Sequence, residues 1–116
     1  NSYLNNTPHS YFEIPENTIV AFQTETVAVR IGGAGSGSVG DFKAMIEVGA
    51  AINKSGTLSI DSSRTIIANV GTTSGWLSTV GVSGTNFLQQ VKGANNRTLM
   101  WTTTIRFTQI KTGVAL

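Results

Sequence analysis

The sequence predicts an all-β fold, an antiparallel β-sandwich of jelly-roll type with about eight strands, and three observations carry that prediction. Apolar and polar residues alternate with a period of two over long stretches. Clusters of Gly, Asn, Ser and Asp punctuate those stretches at short, regular intervals. No segment shows a convincing 3.6-residue apolar stripe of the kind an amphipathic helix needs.

Taken in order, residues 1–10 are polar and aperiodic and read as an extended lead-in or linker, leaving 11–116 as a single β-sandwich domain. Segments 18–22 and 27–31 are β-branched or aromatic, and the polar stretch 23–26 between them fits a hairpin turn. The glycine-rich stretch 32–40 has too little steric content to pack and reads as a flexible loop. In 42–52, Phe42, Ala44, Ile46, Val48, Ala50 and Ile52 alternate with Lys43, Met45, Glu47, Gly49 and Ala51, as in a half-buried strand. The first of these sets is expected to face the core.

Turn residues at 53–56 and 61–63 bracket strands at 57–60 and 64–70. Trp76, Ser78, Val80 and Val82 share one face of the next strand, and another strand follows at 87–92. The last strand, 98–111, is the longest. Leu99, Trp101, Thr103, Ile105 and Phe107 face one way there, and Met100, Thr102, Thr104, Arg106 and Thr108 the other.

Composition narrows the function classes. At 116 residues there is room for one core and no second domain. Charged residues make up only 12 %, and eight basic against six acidic side chains leave +2, which gives no support to a nucleic-acid partner. No run approaches the ~20 apolar residues of a membrane-spanning helix, so membrane insertion is not expected. Asn1 opens the sequence without a signal-peptide pattern, so a piece of a longer product is expected, with Val114, Ala115 and Leu116 as its natural end.

The sequence also argues against an enzyme. His9 is the only histidine and falls in the lead-in, and there is no cysteine, so histidine-based triads and thiolate metal sites have little to work with. Glu13 with Glu16, Asp41 with Glu47, and Asp61 show no spacing that fixes two carboxylates across a substrate. Nothing in the sequence marks Lys43, Lys54, Lys92 or Lys111 as a desolvated nucleophile. The stretch 32–40 lacks the Gly-Lys-Ser/Thr ending and the following helix of a phosphate loop. The glycosylation-type triplets at Asn5, Asn53 and Asn96 are expected by chance in so Asn-, Ser- and Thr-rich a chain. No catalytic residue, metal or cofactor is therefore expected.

Binding leaves a fainter trace. Aromatic rings beside polar residues suit sugars, because ring faces stack on the apolar faces of pyranosides. Tyr11 and Trp76 are the glycan-binding candidates, with core packing the competing reading for Trp76. For assembly, Met100, Thr102, Thr104 and Ile110 share the outer face of the last strand, and Met45 sits with Gly49 and Ala51 on the second face of 42–52. Both faces are poor in charge, which fits burial against another sheet or subunit, or a threonine-rich sheet in water.

Three stretches carry a resemblance. They are Ile14-Pro-Glu-Asn-Thr-Ile-Val-Ala-Phe22, then Val27-Ala-Val-Arg30 before the glycine-rich gap, then Asp41-Phe-Lys-Ala-Met-Ile-Glu-Val48. To these is added Val91-Lys-Gly-Ala-Asn-Asn-Arg-Thr-Leu-Met-Trp101 running into the last strand. Over about 14–110 the chain resembles the small C-terminal β-sandwich of bacteriophage tail fibre and tailspike proteins, with Gly75-Trp76 matching a mid-domain Gly-Trp pair. The resemblance implies a homotrimer in the virion tail, acting in folding and trimerisation. For some members it also implies contact with a bacterial surface polysaccharide. It brings no catalytic residue, since depolymerase sites of tailspikes lie on the preceding β-helix. The runner-up is a monomeric, lectin-like carbohydrate-binding sandwich.

Overall fold

Strands that alternate in character must pair along their backbones and stack one face against another layer. The computed structural model describes residues 7–116 and shows that arrangement. Its strands are β1 Thr7–Glu13, β2 Thr18–Gly32, β3 Phe42–Lys54, β4 Thr57–Val70, β5 Leu77–Ser83, β6 Asn86–Lys92 and β7 Thr98–Lys111. They form two antiparallel sheets, one ordered β4-β3-β2-β7 and the other β1-β6-β5. The sandwich is elongated, 54 × 23 × 16 Å.

Turn chemistry fixes the register of the hairpins. Lys54 pairs with Thr57 across Ser55 and Gly56, whose φ values of 54° and 90° are both positive, as a type I′ turn requires. Ser83 pairs with Asn86 across a second two-residue turn opened by Gly84 at φ 60°.

Several expectations about the elements change. Strand β1 begins at Thr7, so 7–10 belongs to the small sheet and not to a lead-in; residues 1–6 of the expected lead-in lie outside the described residues. The turn expected at 23–26 is the middle of β2, paired on one side with β3 and on the other with β7. Its polar Thr24 and Thr26 point into the interior, where they are buried. Likewise 61–63 continues β4, with Asp61 opposite Ala50 and Ser63 opposite Val48. Two merged pairs and one added strand turn the expected eight into seven.

The interior is divided along its length. One apolar cluster joins Ile14, Val20, Phe22, Ala51, Leu58 and Phe87, where the Phe22 and Phe87 rings meet edge to face at 4.8 Å. A second, towards the opposite end, joins Ala28, Trp76 and Leu99, with Trp101 and Ala94 against it. Between them runs a polar belt. Thr26 Oγ1 lies 2.8 Å from Ser78 Oγ and 3.2 Å from Thr103 Oγ1, and Gln89 Nε2 donates to Ser78 Oγ at 2.8 Å. Such pairing offsets the desolvation of hydroxyl and amide groups that would otherwise cost a few kcal/mol each.

Strand β3 faces the opposite way from expectation. Pairing with β2 sets Ala51 beside Val20, Met45 beside Thr26 and Lys43 beside Ala28, so the face bearing Lys43, Met45, Glu47, Ala51 and Asn53 turns inward. Phe42, Ile46, Val48, Ala50 and Ile52 turn outward. Because the side-chain period is two, one choice of register decides both faces at once. Met45 is only 2 % exposed, so it lies in this chain's own interior and is withdrawn as a subunit-contact candidate.

Candidate functional site

The outward face of the large sheet is the most unusual surface of the molecule. On β2 it carries Ile19, Ala21, Gln23, Glu25, Val27 and Val29. These stand beside Ile52, Ala50, Val48, Ile46, Ala44 and Phe42 on β3. On the other side they stand beside Ile110, Thr108, Arg106, Thr104, Thr102 and Met100 on β7. Four of the five expected subunit-contact residues, Met100, Thr102, Thr104 and Ile110, are thus brought together on one exposed face. Met100 and Ile110 are 57 % and 62 % exposed, and Val27 and Val48 lie open beside them. The signal that sequence reasoning missed is that β2 and β3 continue this surface with Ile19, Val27, Phe42, Ile46, Val48 and Ile52.

Among the described residues two charges stand within the three strands, Glu25 on β2 and Arg106 on β7, while Lys54 ends β3 and Asp61 stands at the β4 edge. Among the described residues neither the Glu25 nor the Arg106 side chain has a hydrogen bond or an ion pair. Arg106 borders a shallow open dish of about 410 Å³ with Ala21, Gln23, Val48, Gly49 and Thr108.

The glycan candidates separate. The Trp76 ring is 0 % exposed and packs with Ala28, Leu99 and Trp101, which withdraws it from any surface site. Gly75 at φ 84° turns the chain so that the ring enters the core and does not stand at the strand start. Tyr11 is 69 % exposed on β1, opposite Leu88, and among the described residues no second aromatic candidate is brought to it. His9 is exposed on the same strand, at the register irregularity between Pro8 and Ser10.

The stretch 32–40 is tied down by one side chain, contrary to the expectation of a flexible loop. Arg30, 3 % exposed, donates from Nε to Gly32 O (2.9 Å) and from Nη1 to Ser36 O (2.6 Å). Its Nη2 donates to Gly33 O (3.0 Å) and Gly35 O (2.9 Å). Arg97 adds bonds to Ser36 O and Oγ, and Gly35 N donates to Asn96 O. Gly33 is required here: at φ 96°, a Cβ would stand 2.2 Å from Asn96 O. Asp41 Oδ2 accepts from the backbone N–H groups of Ser38 (3.0 Å) and Thr72 (3.1 Å). Those two bonds hold the carboxyl below the usual aspartate value.

Lys43 is desolvated after all. It is 5 % exposed, and Nζ donates to Trp76 O at 2.8 Å. Burial first, and the Arg64 guanidinium second, lower its pKa below the ordinary lysine value. A buried amine capping a carbonyl ties β3 to the segment that leads into β5. Glu47 accepts from Ser62 Oγ at 2.7 Å on one oxygen, while its other oxygen has no protein partner. Asn53, one of the glycosylation-type positions, is 1 % exposed and bonded to Ile14 O and Gly56 N, so its amide is sequestered.

Among the described residues no group of three or more histidine, cysteine or carboxylate side chains is placed to hold a metal ion. No family model, curated protein or solved structure matches the chain.

Proposed function

We propose that this chain is a non-catalytic assembly module of the kind that ends a bacteriophage tail fibre or tailspike, joining copies of itself into a trimer in the virion. The observation that supports this reading most is the direction of β3. Phe42, Ile46, Val48, Ala50 and Ile52 face away from the chain's own core, while Lys43, Glu47 and Asn53 are buried beside Met45 and Ala51. A solvated antiparallel sheet places polar residues outside. An outward face bearing Ile19, Val27, Phe42, Val48, Met100 and Ile110 matches a covered one. Contact with a bacterial surface glycan is the second part of the proposal, and Tyr11 is the remaining aromatic candidate for it.

Light scattering on the chain at micromolar concentration tests the assembly. Three times the 12.2 kDa chain mass is expected. A steady 12.2 kDa would count against assembly and favour the monomeric sugar-binding reading. A glycan array probed with the chain and with Tyr11→Ala tests the second part, and equal binding by both removes Tyr11 from the site.

A further inference from the structure

We propose that Glu25 and Arg106 pair across the contact between two copies, the Arg106 guanidinium of one chain taking the Glu25 carboxylate of the next. The proposal rests on the assembly reading above and names what fixes its register. From the row of Ile19 to the row of Val29 the face runs roughly 35 Å along the strands and roughly 19 Å across four of them. That is roughly 650 Å² even as a flat projection, close to the ~800 Å² per partner of a standard stable interface.

Covering this face removes water from both charges, and a charge buried without a partner costs several kcal/mol. Within one chain the two are diagonal neighbours, since Glu25 pairs with Thr104 and Arg106 with Gln23. They nevertheless make no bond to each other. An apolar partner would leave both unmatched. An acidic or a basic partner would leave one unmatched. A second copy brings the complement of each, and the dish beside Arg106, lined by Gln23 and Thr108, has room for an incoming carboxylate. Asp61 on the edge strand and Lys54 at the end of β3 lie at the rim of the face, within reach of water, and need no partner.

The test uses E25R, R106E, the double variant E25R/R106E and an equimolar mixture of the two single variants, all in sedimentation equilibrium. Each single variant is expected to stay monomeric where the wild-type chain associates. The double variant is expected to reach the wild-type oligomer again, and the mixture to form mixed complexes that hold both variants, more weakly, because opposite charges then meet wherever the two variants touch, while a ring of three from two kinds keeps one like-charged contact. Single variants that associate like wild type would overturn the pairing. So would a mixture that stays monomeric while the double variant associates, which places the pair within one chain. Should charge reversal unfold the chain, E25Q and R106Q carry the test: each is expected to weaken association about tenfold, and unchanged association by both overturns the proposal. A monomeric wild-type chain overturns the assembly reading itself, so the two failures are distinguishable.

Discussion

The inner face of β3 buries a lysine, a glutamate and an asparagine, whereas the outer face of the same strand presents Phe42, Ile46, Val48 and Ile52 away from the core. Each buried polar side chain has a named partner, although one Glu47 oxygen has none: Lys43 the Trp76 carbonyl, Glu47 Oε2 the Ser62 hydroxyl, Asn53 the Ile14 carbonyl and Gly56 N–H. The outer residues have only each other. Hydrogen bonds therefore knit the two layers of the single chain, while a large share of its hydrophobicity lies outside its own fold. The difference teaches that the sandwich stands on its inner contacts, and it is the outer face on which the proposed assembly rests.

Changes to the two faces should separate accordingly. The largest effect is expected at Phe87, 0 % exposed and packed edge to face on both Phe22 and Phe107. Phe87→Ala should lose about 3–5 kcal/mol in urea unfolding through the lost burial and the cavity left behind. Arg30→Leu should come next, at about 3 kcal/mol, because four loop carbonyls lose their donor together. Hydrogen exchange should then speed up across 33–40 while β2 away from the loop stays protected.

A third effect is read against pH. The folded pKa of Lys43 lies below its unfolded value of about 10.5, so the fold prefers the neutral amine. Stability linked to this group is full above the unfolded pKa and falls as pH drops through the folded one. The wild-type unfolding midpoint should therefore gain, relative to Lys43→Met, as pH rises toward 10.5; an unchanged difference between the two would remove the linkage. The smallest effect on the single chain is expected outside. Val48→Lys should shift the unfolding free energy of the monomer by no more than about 0.5 kcal/mol and yet abolish association.

Much of this was legible in the sequence. Strand β7 was readable with its ends and both faces, because bulky Leu99 and Trp101 mark the core side and Met100 stands among threonines on the other. For β3 the period was readable but the direction was not. Alternation tells which residues share a face, and the choice between faces belongs to the strand's neighbours, to the Trp76 carbonyl that Lys43 finds across the interior and to the Ser62 hydroxyl that Glu47 finds on β4. Thr24 and Thr26 resembled a turn because their polarity is local, whereas the belt that pairs Thr26 with Ser78 is 52 residues away in sequence. The glycine stretch read as loose because nothing in glycine shows where its carbonyls go; one arginine before it, Arg30, collects them. Trp76 stood beside Gly75 and polar residues, and only the stacked layers reveal that its ring closes the second apolar cluster.

The account's central claim is that the outer face of the large sheet is covered by another copy of the chain. The absence of cysteine allows a clean reporter. Val48→Cys places one thiol in the middle of that face, and Ser83→Cys places a reference thiol in the exposed β5–β6 turn. Labelling rates measured across a dilution series should show the Cys at 48 protected at high concentration and freed on dilution, with the reference unchanged. Equal, concentration-independent labelling at both positions would contradict the claim.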